Sequence, residues 1–381
     1  MAEYQLVANG NDEFGHSFLP EFKRPERFAI TMPYDITPQD SIEGGTWTEF
    51  ILPSVFDRII SVSISAPVKA AGVGAWTAER MIDEVVLSNG TETMMQRITN
   101  NYIRFWYQGL DEGRRNNWDK MTSAVAEDER VYLDVPMAAF QDTAHSVVPW
   151  KNIYLHVKWS SNVNDLIESG RIAINTRNII FDKERYEKLT TGDLMPSSQE
   201  KQLIIQSHEQ VEYGHENSSS VPMELRGPCK DIWFGLKANA DFSAHTTDIS
   251  TTSLYMSTPY ANVYPQPHQS SGVVRLTETS TGPTITSANI RVNDDQLFEV
   301  QGEKFFNQVI PYYRYKGCPA PGFYYYSFAI HPQQFQPSGA FNFSSTTNKY
   351  LNLTNEPYES DVHIISNRYN IAERNVPLFL D

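Results

Sequence analysis

The sequence contains very little cysteine. Only Cys229 and Cys318 occur in 381 residues, and they lie far apart. This scarcity excludes a disulfide framework and the paired cysteines of a zinc knuckle. A chain without a disulfide framework is typical of a reducing compartment.

Cationic side chains and long apolar runs are also scarce. The 31 Lys and Arg residues are outnumbered by 46 Asp and Glu residues, which gives a net charge of −15. Because phosphate binding needs clustered cations, we expect no direct contact with nucleic acid. No apolar run approaches the roughly 20 residues that span a bilayer, and the first residues lack a signal-peptide pattern. We therefore expect a soluble protein that stays in the cytosol unless it is packaged.

The familiar motifs of catalysis and metal binding are missing. There is no GxSxG, no phosphate-cradling loop, no dinucleotide fingerprint and no HExxH. His208 and His215 each precede a glutamate and could suggest a metal pair, but solvated loop positions are the simpler interpretation. The acidic run at 127–129 lacks the glycine and the ligand spacing of a calcium loop. The sequence therefore predicts no enzyme, no catalytic residue, no metal ligand and no cofactor.

Six tyrosines near the C-terminal part of the chain could stack against a sugar. We interpret them instead as positions of alternating burial along a hairpin whose loop contains Cys318 and Gly322. The six tyrosines are Tyr312, Tyr313, Tyr315, Tyr324, Tyr325 and Tyr326.

The dominant positive signal is a period-two alternation of apolar and polar residues. Successive side chains of a strand point to opposite faces, so each such segment has one dry face and one wet face. Turn-forming residues interrupt the chain about every 10 residues, as in sandwiches and barrels. The clearest alternating apolar sets are Ile60, Val62 and Ile64; Val131, Leu133 and Val135; Ile153, Leu155, Val157 and Trp159; Val221, Met223 and Leu225; and Ile232, Phe234 and Leu236.

The length of the chain predicts two domains. We assign residues 1–192 to a first domain with an N-terminal arm, 193–199 to a polar linker, and 200–381 to a second domain. Each half is large enough for an eight-stranded jelly roll, although other sandwiches share the pattern. The Ser- and Thr-rich stretch at 243–286 indicates a surface loop or a pair of edge strands. Helical spacing indicates short connecting helices at 97–108, 114–124, 183–189 and 303–309.

Several separated segments resemble the major capsid proteins of nucleocytoplasmic large DNA viruses and their smaller relatives. The most specific is Gln336-Pro337-Ser338-Gly339 followed by Asn342-Phe343-Ser344, after an aromatic segment at 323–330. Tyr102, Trp106 and Met121 are similar to the helical insertion of the family's first barrel. Four further segments are similar to family segments in the expected order: 22–29, 82–90, 225–234 and 288–298. The stretch 364–371 resembles the closing strand.

The resemblance implies an all-β chain of two consecutive eight-stranded antiparallel jelly rolls with short helices in the connections. It implies a structural protein that forms homotrimeric, pseudo-hexagonal capsomers of an icosahedral double-stranded DNA virus. The implied partners are further copies of the chain, minor capsid and penton proteins and, indirectly, an inner membrane. The implied location is the virion shell, assembled in the host cytoplasm or nucleus. A non-virion assembly scaffold of the same fold and a sugar-binding β-sandwich remain alternatives.

The residue types of the turn in this motif predict its backbone geometry. Pro337 fixes φ at a turn position, and Gly339 permits a positive φ at no steric cost. Ser338 can bond a nearby backbone group, and Asn342 and Phe343 are expected to resume a strand. Gln336 and Ser344 flank these positions. The turn contains no acid, base or nucleophile, so we predict that it positions strands.

Overall fold

The computed structural model is all-β with a few short helices. It describes residues 30–38, 42–53, 58–74, 76–89, 94–137, 140, 153–180, 202–213, 220–238, 285–293, 295–314, 319, 322–333, 337–355 and 360–373. The predicted linker at 193–199, the predicted helix at 183–189, His215, Cys318 and Gln336 lie outside these ranges.

The first half of the chain folds into two four-stranded antiparallel sheets. One sheet has the strand order β1-β8-β3-β6 and the other has the order β2-β7-β4-β5. The strands are β1 (Ile30–Ile36), β2 (Trp47–Ile51), β3 (Arg58–Pro67), β4 (Ile82–Asn89), β5 (Met94–Thr99), β6 (Arg130–Asp134), β7 (Ile153–Trp159) and β8 (Ala173–Ile180).

The second half repeats this plan. One sheet runs β15-β11-β18-β9, with β16 beside β11, and the other runs β10-β17-β12-β13, with β14 beside β12. The strands are β9 (Gln202–Tyr213), β10 (Ser220–Pro222), β11 (Pro228–Ala238), β12 (Ile285–Val292), β13 (Asp295–Gln296), β14 (Gln301–Gly302), β15 (Phe323–Ser327), β16 (Phe341–Asn342), β17 (Lys349–Asn355) and β18 (Ser360–Glu373).

Both halves follow the same path between their sheets. If the two-residue strands β14 and β16 are set aside, each half places its first, eighth, third and sixth strands in one sheet. The second, seventh, fourth and fifth strands form the other sheet. This arrangement of eight antiparallel strands is a jelly roll, and it occurs twice in the chain.

Alternating burial confirms the predicted strand faces. Along β7, every odd-numbered residue from Ile153 to Trp159 is buried and every residue between them is half-buried. The indole of Trp159 donates a hydrogen bond to the Thr48 hydroxyl at 2.8 Å, so its single polar atom is satisfied in the core. Ile232, Phe234 and Leu236 enter a second buried cluster, as predicted. The exposed opposite face that the alternation predicted for this strand is wrong, because the residues between these three are buried too.

The helices lie in the connections between strands, as predicted, but the bounds predicted for three of them are wrong. The helix expected at 114–124 spans Glu112–Thr122. Residues 97–99 belong to β5, so the helix expected at 97–108 begins at Asn100. The helix expected at 303–309 extends further and consists of a π-helical turn, Phe305–Val309, followed by a helix. The helices are α1 (Thr77–Arg80), α2 (Asn100–Gln108), α3 (Glu112–Thr122), α4 (Val163–Leu166) and α5 (Ile310–Arg314), with short 3-10 turns at Ala70–Gly72, Ser169–Arg171 and Phe343–Ser345.

Part of the stretch predicted as a loop or edge strands is paired inside a sheet. Ile285 and Thr286 are the first residues of β12, which lies between β17 and the short strands β13 and β14. Residues 243–284 lie outside the described ranges. Among the helices that the structure describes, none is long and apolar enough to cross a membrane.

Candidate functional site at the junction of the two barrels

The sheet that contains β15, β11 and β18 is buried on both of its faces. Phe234, Tyr324 and Ile364 are register partners and belong to the core of the second barrel. The neighbouring row, Trp233, Tyr325 and Ile365, belongs instead to the buried cluster of the first barrel. A strand with both faces buried has no polar side, which explains the unbroken aromatic run at 323–326.

Helix α2 of the first barrel provides the surface that covers the outer face of this sheet. The Phe105 ring meets the Phe323 ring edge to face, with centroids 5.1 Å apart, and both side chains are fully buried. On the sheet itself, the Trp233 and Tyr325 rings lie 4.6 Å apart. The two barrels are therefore joined by an aromatic contact between residues more than 200 positions apart in the sequence.

The start of α2 is fixed by two polar side chains. The Thr99 hydroxyl accepts a hydrogen bond from the Tyr102 amide at 3.4 Å and caps the helix. The Asn100 side-chain amide donates to the carbonyl oxygens of Glu79 and Ile82, each at 3.0 Å. These bonds tie the first turn of α2 to the end of α1 and the start of β4, and so set its approach to the second barrel.

Polar groups are also buried at the junction. The Asn101 side-chain amide lies 3.5 Å from Nδ1 of His363, which belongs to β18 of the other barrel. Asp231 is fully buried and accepts a hydrogen bond from the Asn367 amide at 2.6 Å. Burial raises the pKa of Asp231, and the nearby Lys230 ammonium opposes this effect. Burial and the Asp231 charge raise the pKa of Tyr369 to about 12.

A buried ion pair supports α2 from behind. The Arg104 guanidinium lies 3.0 Å from the Glu79 carboxylate, and both side chains are almost completely buried. The same carboxylate accepts a hydrogen bond from the Trp118 indole at 2.6 Å. Burial raises the pKa of Glu79 despite the opposing Arg104 charge. The Arg104 guanidinium also lies 3.8 Å from the centre of the Trp76 ring, a cation–π geometry.

A second carboxylate completes this support. Asp119 of α3 accepts hydrogen bonds from the Trp76 indole at 2.8 Å and from the Tyr107 hydroxyl at 3.1 Å. Burial raises the pKa of Asp119, whereas these two hydrogen bonds lower it. Burial and the Asp119 charge also raise the pKa of Tyr107. Together these bonds hold α1, α2 and α3 as one unit.

The motif turn lies beside the strand end of β15. The Ser338 hydroxyl accepts a hydrogen bond from the His331 amide at 2.8 Å, and the Ser338 carbonyl accepts one from the Ile330 amide at 3.3 Å. Gly339 has a φ of +137°, which side chains rarely tolerate. A Cβ atom at this position would lie 3.0 Å from the Phe328 carbonyl oxygen. Pro337, which precedes this pair, is exposed.

Asn342, Phe343 and Ser344 connect the turn to β11. The Asn342 side chain accepts a hydrogen bond from the Ser344 amide at 3.0 Å, and the Ser344 hydroxyl accepts one from the Gly227 amide at 2.7 Å. Phe343 is fully buried, with its ring centre 5.6 Å from that of Phe328. The expectation that Phe343 continues a strand is wrong, because it begins a 3-10 turn that carries its ring into the second core.

Replacing Gly339 with valine is expected to lower the free energy of unfolding by about 2–3 kcal/mol, because a β-branched residue is strained at this φ and its Cβ crowds a carbonyl oxygen. Chemical denaturation would measure the loss. Gly170→Val is the matched control, since a Cβ there meets nothing within 4 Å. Equal stability of the two variants would contradict the positioning role of the turn.

The tyrosines interpreted as a hairpin do not form one group. Tyr312 and Tyr313 belong to α5 and are strongly exposed, so the hairpin prediction is wrong for them. Tyr324 and Tyr325 are both buried, which an alternating pattern does not produce. Sequence reasoning missed the junction, although the unbroken aromatic run was a signal for it. Tyr315 lies outside the described ranges.

The weaker candidate sites have ordinary structural surroundings. At the acidic run, Glu129 accepts a hydrogen bond from the Val125 amide at 2.7 Å, and Asp128 lies 3.4 Å from Arg171. This run is an exposed turn, as predicted. His208 belongs to β9, so its interpretation as a loop position is wrong. The Cys229 thiol is buried and donates a hydrogen bond to the Asp231 carbonyl oxygen at 3.2 Å. In the part of the chain that the structure describes, no three His, Cys, Asp or Glu side chains are grouped to hold a metal ion.

Sequence comparison finds similarity between part of the chain and a viral protein family. Residues 193–374 match the family model of the large eukaryotic DNA virus major capsid protein. A stretch of 70 residues is 41% identical to the major capsid protein of Paramecium bursaria Chlorella virus 1 and covers 18% of this chain and 16% of that relative. A stretch of 89 residues is 36% identical to that of Chrysochromulina ericina virus and covers 22% and 15%. The matches thus span under a fifth of these relatives.

Solved structures extend the similarity of fold to nearly the whole chain. VP54 of PBCV-1, fitted into a cryo-EM reconstruction of the virophage Sputnik, has a TM-score of 0.68 at 18% identity, with 92% of this chain and 97% of that one covered. The Faustovirus major capsid protein has a TM-score of 0.67 at 10% identity, with 93% and 92% covered.

The duplicated strand order and the similarity to these solved structures show a double jelly-roll fold. The chain resembles the major capsid proteins of large eukaryotic DNA viruses, whose family model matches residues 193–374.

Proposed function

We propose that this chain builds the shell of an icosahedral double-stranded DNA virus as a homotrimeric, pseudo-hexagonal capsomer. Three copies with two barrels each present six similar units around one axis, and such a unit tiles a hexagonal lattice. The observation that carries this proposal is the repeated jelly-roll topology. The two barrels are in contact inside one chain through the rings of Phe105 and Phe323. The role is mechanical and involves no catalysis.

The organisation of the chain follows from this proposal. Residues 1–192 form the first barrel with its N-terminal arm, 193–199 the linker, and 200–381 the second barrel. The turn at Gln336–Gly339 and the residues Asn342–Ser344 position the strands around β11. Partners of the trimer are neighbouring trimers, minor capsid and penton proteins and, indirectly, an inner membrane. The net charge of −15 is consistent with a shell that makes no direct contact with the genome.

Sedimentation equilibrium of the purified full-length chain tests the capsomer. We expect a trimer at micromolar concentration, because an obligate interface of this kind buries thousands of Å2. A monomer under these conditions would contradict the proposal. Presence of the protein in purified mature particles separates a capsid protein from a non-virion scaffold of the same fold.

A further inference from the structure

One contact between the two barrels is made inside the chain, and among the described residues the topologically equivalent contact has no partner. In the first barrel, α2 lies between the fifth and sixth strands, β5 and β6. Its Phe105 and Asn101 contact the outer face of the β15-β11-β18-β9 sheet. This sheet holds the sixth, third, eighth and first strands of the second barrel.

The second barrel has a helical segment at the same place in its topology. The π-helical turn and α5 lie between β13 and β15, which are its fifth and sixth strands. Val309, Tyr312 and Tyr313 are spaced i, i+3 and i+4, so they share one face of this segment. We call these three residues the tyrosine stripe. The two tyrosines are 79% and 73% exposed, with ring centres 5.3 Å apart.

The surface that corresponds to the covered sheet is the outer face of β1-β8-β3-β6. In β3, Val62 and Ile64 point into the core, so Ser61 and Ser63 point outward. Their register partners in β8, Arg177 and Asn175, share this outward face. Tyr132 of β6, paired with Ser65, lies on the same side and is partly exposed. We call this surface the serine face.

We propose that the tyrosine stripe of one copy docks on the serine face of a second copy. The contact inside the chain and the contact between chains would then have the same geometry. In each, the helix between the fifth and sixth strands of one barrel covers a sheet of the next barrel. A heterologous step of this kind repeats head to tail, and it gives a ring when its rotation closes after a whole number of copies. This inference rests on the proposed capsomer and names the surfaces of its seam.

The chemistry of the two surfaces suits a contact that forms after folding. The covered sheet of the second barrel presents Trp233, Phe323 and Tyr325, and it is buried as the chain folds. The serine face presents hydroxyl, amide and guanidinium groups, so water can solvate this surface in the free chain. Tyrosine pairs an apolar ring with a hydroxyl, and tyrosine and arginine are enriched at protein interfaces.

A second copy is the occupant that the observations favour, because the chain itself contains both halves of the missing contact. In one chain the two tyrosines of the stripe are exposed, as are Arg177 and Tyr132 of the serine face, and the other residues of that face are half-buried. Each corresponds by topology to one side of a contact that the chain already makes. An unrelated partner would account for only one of the two surfaces and would leave the other unexplained.

Sedimentation velocity of full-length variants tests this seam from both sides. The stripe variant is Tyr312→Ser with Tyr313→Ser, and the face variant is Ser63→Glu. We expect each to weaken trimer formation at least about tenfold, because exposed tyrosines that become buried are typical hot spots. Val125→Ser, which removes a side chain that is 86% exposed elsewhere, is the control and should assemble as the unmodified chain does. Circular dichroism would verify that each variant is folded.

Mixing the two variants gives the sharpest result. The face variant retains an intact stripe and the stripe variant retains an intact serine face, so an equal mixture should form heterodimers through one intact seam. A trimeric stripe variant, or a mixture that stays monomeric while the unmodified chain is trimeric, overturns this seam and leaves the capsomer standing. A monomeric unmodified chain overturns the capsomer itself and the seam with it.

Discussion

Replacing Arg104 with methionine is expected to lower the free energy of unfolding by about 3–5 kcal/mol, because it leaves the buried Glu79 carboxylate without its counter-ion. The Trp118 indole would still donate a hydrogen bond to that carboxylate. Chemical denaturation at pH 7 would measure the loss. Burial already raises the pKa of Glu79, and loss of Arg104 raises it further. The folded state then takes up a proton as the pH falls, so the deficit should shrink in mild acid.

Two controls separate this ion pair from a general effect of losing an arginine. Arg114 lies 3.5 Å from Asp111, and both side chains are well exposed. Arg114→Met should therefore change stability by less than about 1 kcal/mol. Adding Glu79→Gln to Arg104→Met should recover much of the loss, because a neutral amide still accepts from Trp118. A double variant no more stable than Arg104→Met would refute the assignment of the loss to an isolated charge.

Truncating Phe105 to alanine is expected to cost about 3–5 kcal/mol, the range for a large aromatic side chain in a packed core. Phe105 is 1% exposed and meets Phe323 of the second barrel. The substitution opens a cavity at the junction, so it should also separate the unfolding transitions of the two barrels. Calorimetry would detect the separation, at a fixed protein concentration because assembly adds to apparent stability.

A double-mutant cycle shows whether the ring contact itself matters. Phe105→Ala and Phe323→Ala should be coupled by about 0.5–1.5 kcal/mol, the range for an aromatic pair beyond its buried area. Trp47→Ala, at a side chain that is 49% exposed, is the aromatic control and should have a small effect. Additive losses in the cycle would mean that the rings stabilise their own barrels and do not join them.

Most of the strands could be predicted from the sequence, because their signal is local. The alternation in β7 appears on the predicted faces. Ile232, Phe234 and Leu236 enter the core as predicted, but the residues between them are buried as well. The helix bounds were less predictable. Residues 97–99 fit the apolar spacing of the helix that follows them, but they pair with residues of β4. The local pattern could not predict this pairing, because the β4 residues lie outside it.

The motif turn was readable only in part. The positive φ of Gly339 and the backbone bond of Ser338 follow from residue type, and both are present. The 3-10 turn at Phe343 was not predictable, because it depends on a pocket formed by Phe328 and Phe341 in the second core. The positioning role of the turn stays a prediction until the Gly339 variant is measured.

The sequence by itself determined that the chain is all-β and where most strands present their apolar side, because the period-two pattern depends on neighbours two positions away. The tertiary structure decided which sheet would have both of its faces buried. Asn101 meets His363 across 262 positions, and Phe105 meets Phe323 nearby. Contacts at such separations depend on how whole sheets pack, so no local pattern specifies them. The same packing leaves Tyr312 and Tyr313 exposed, although their residue type resembles that of the buried tyrosines of β15.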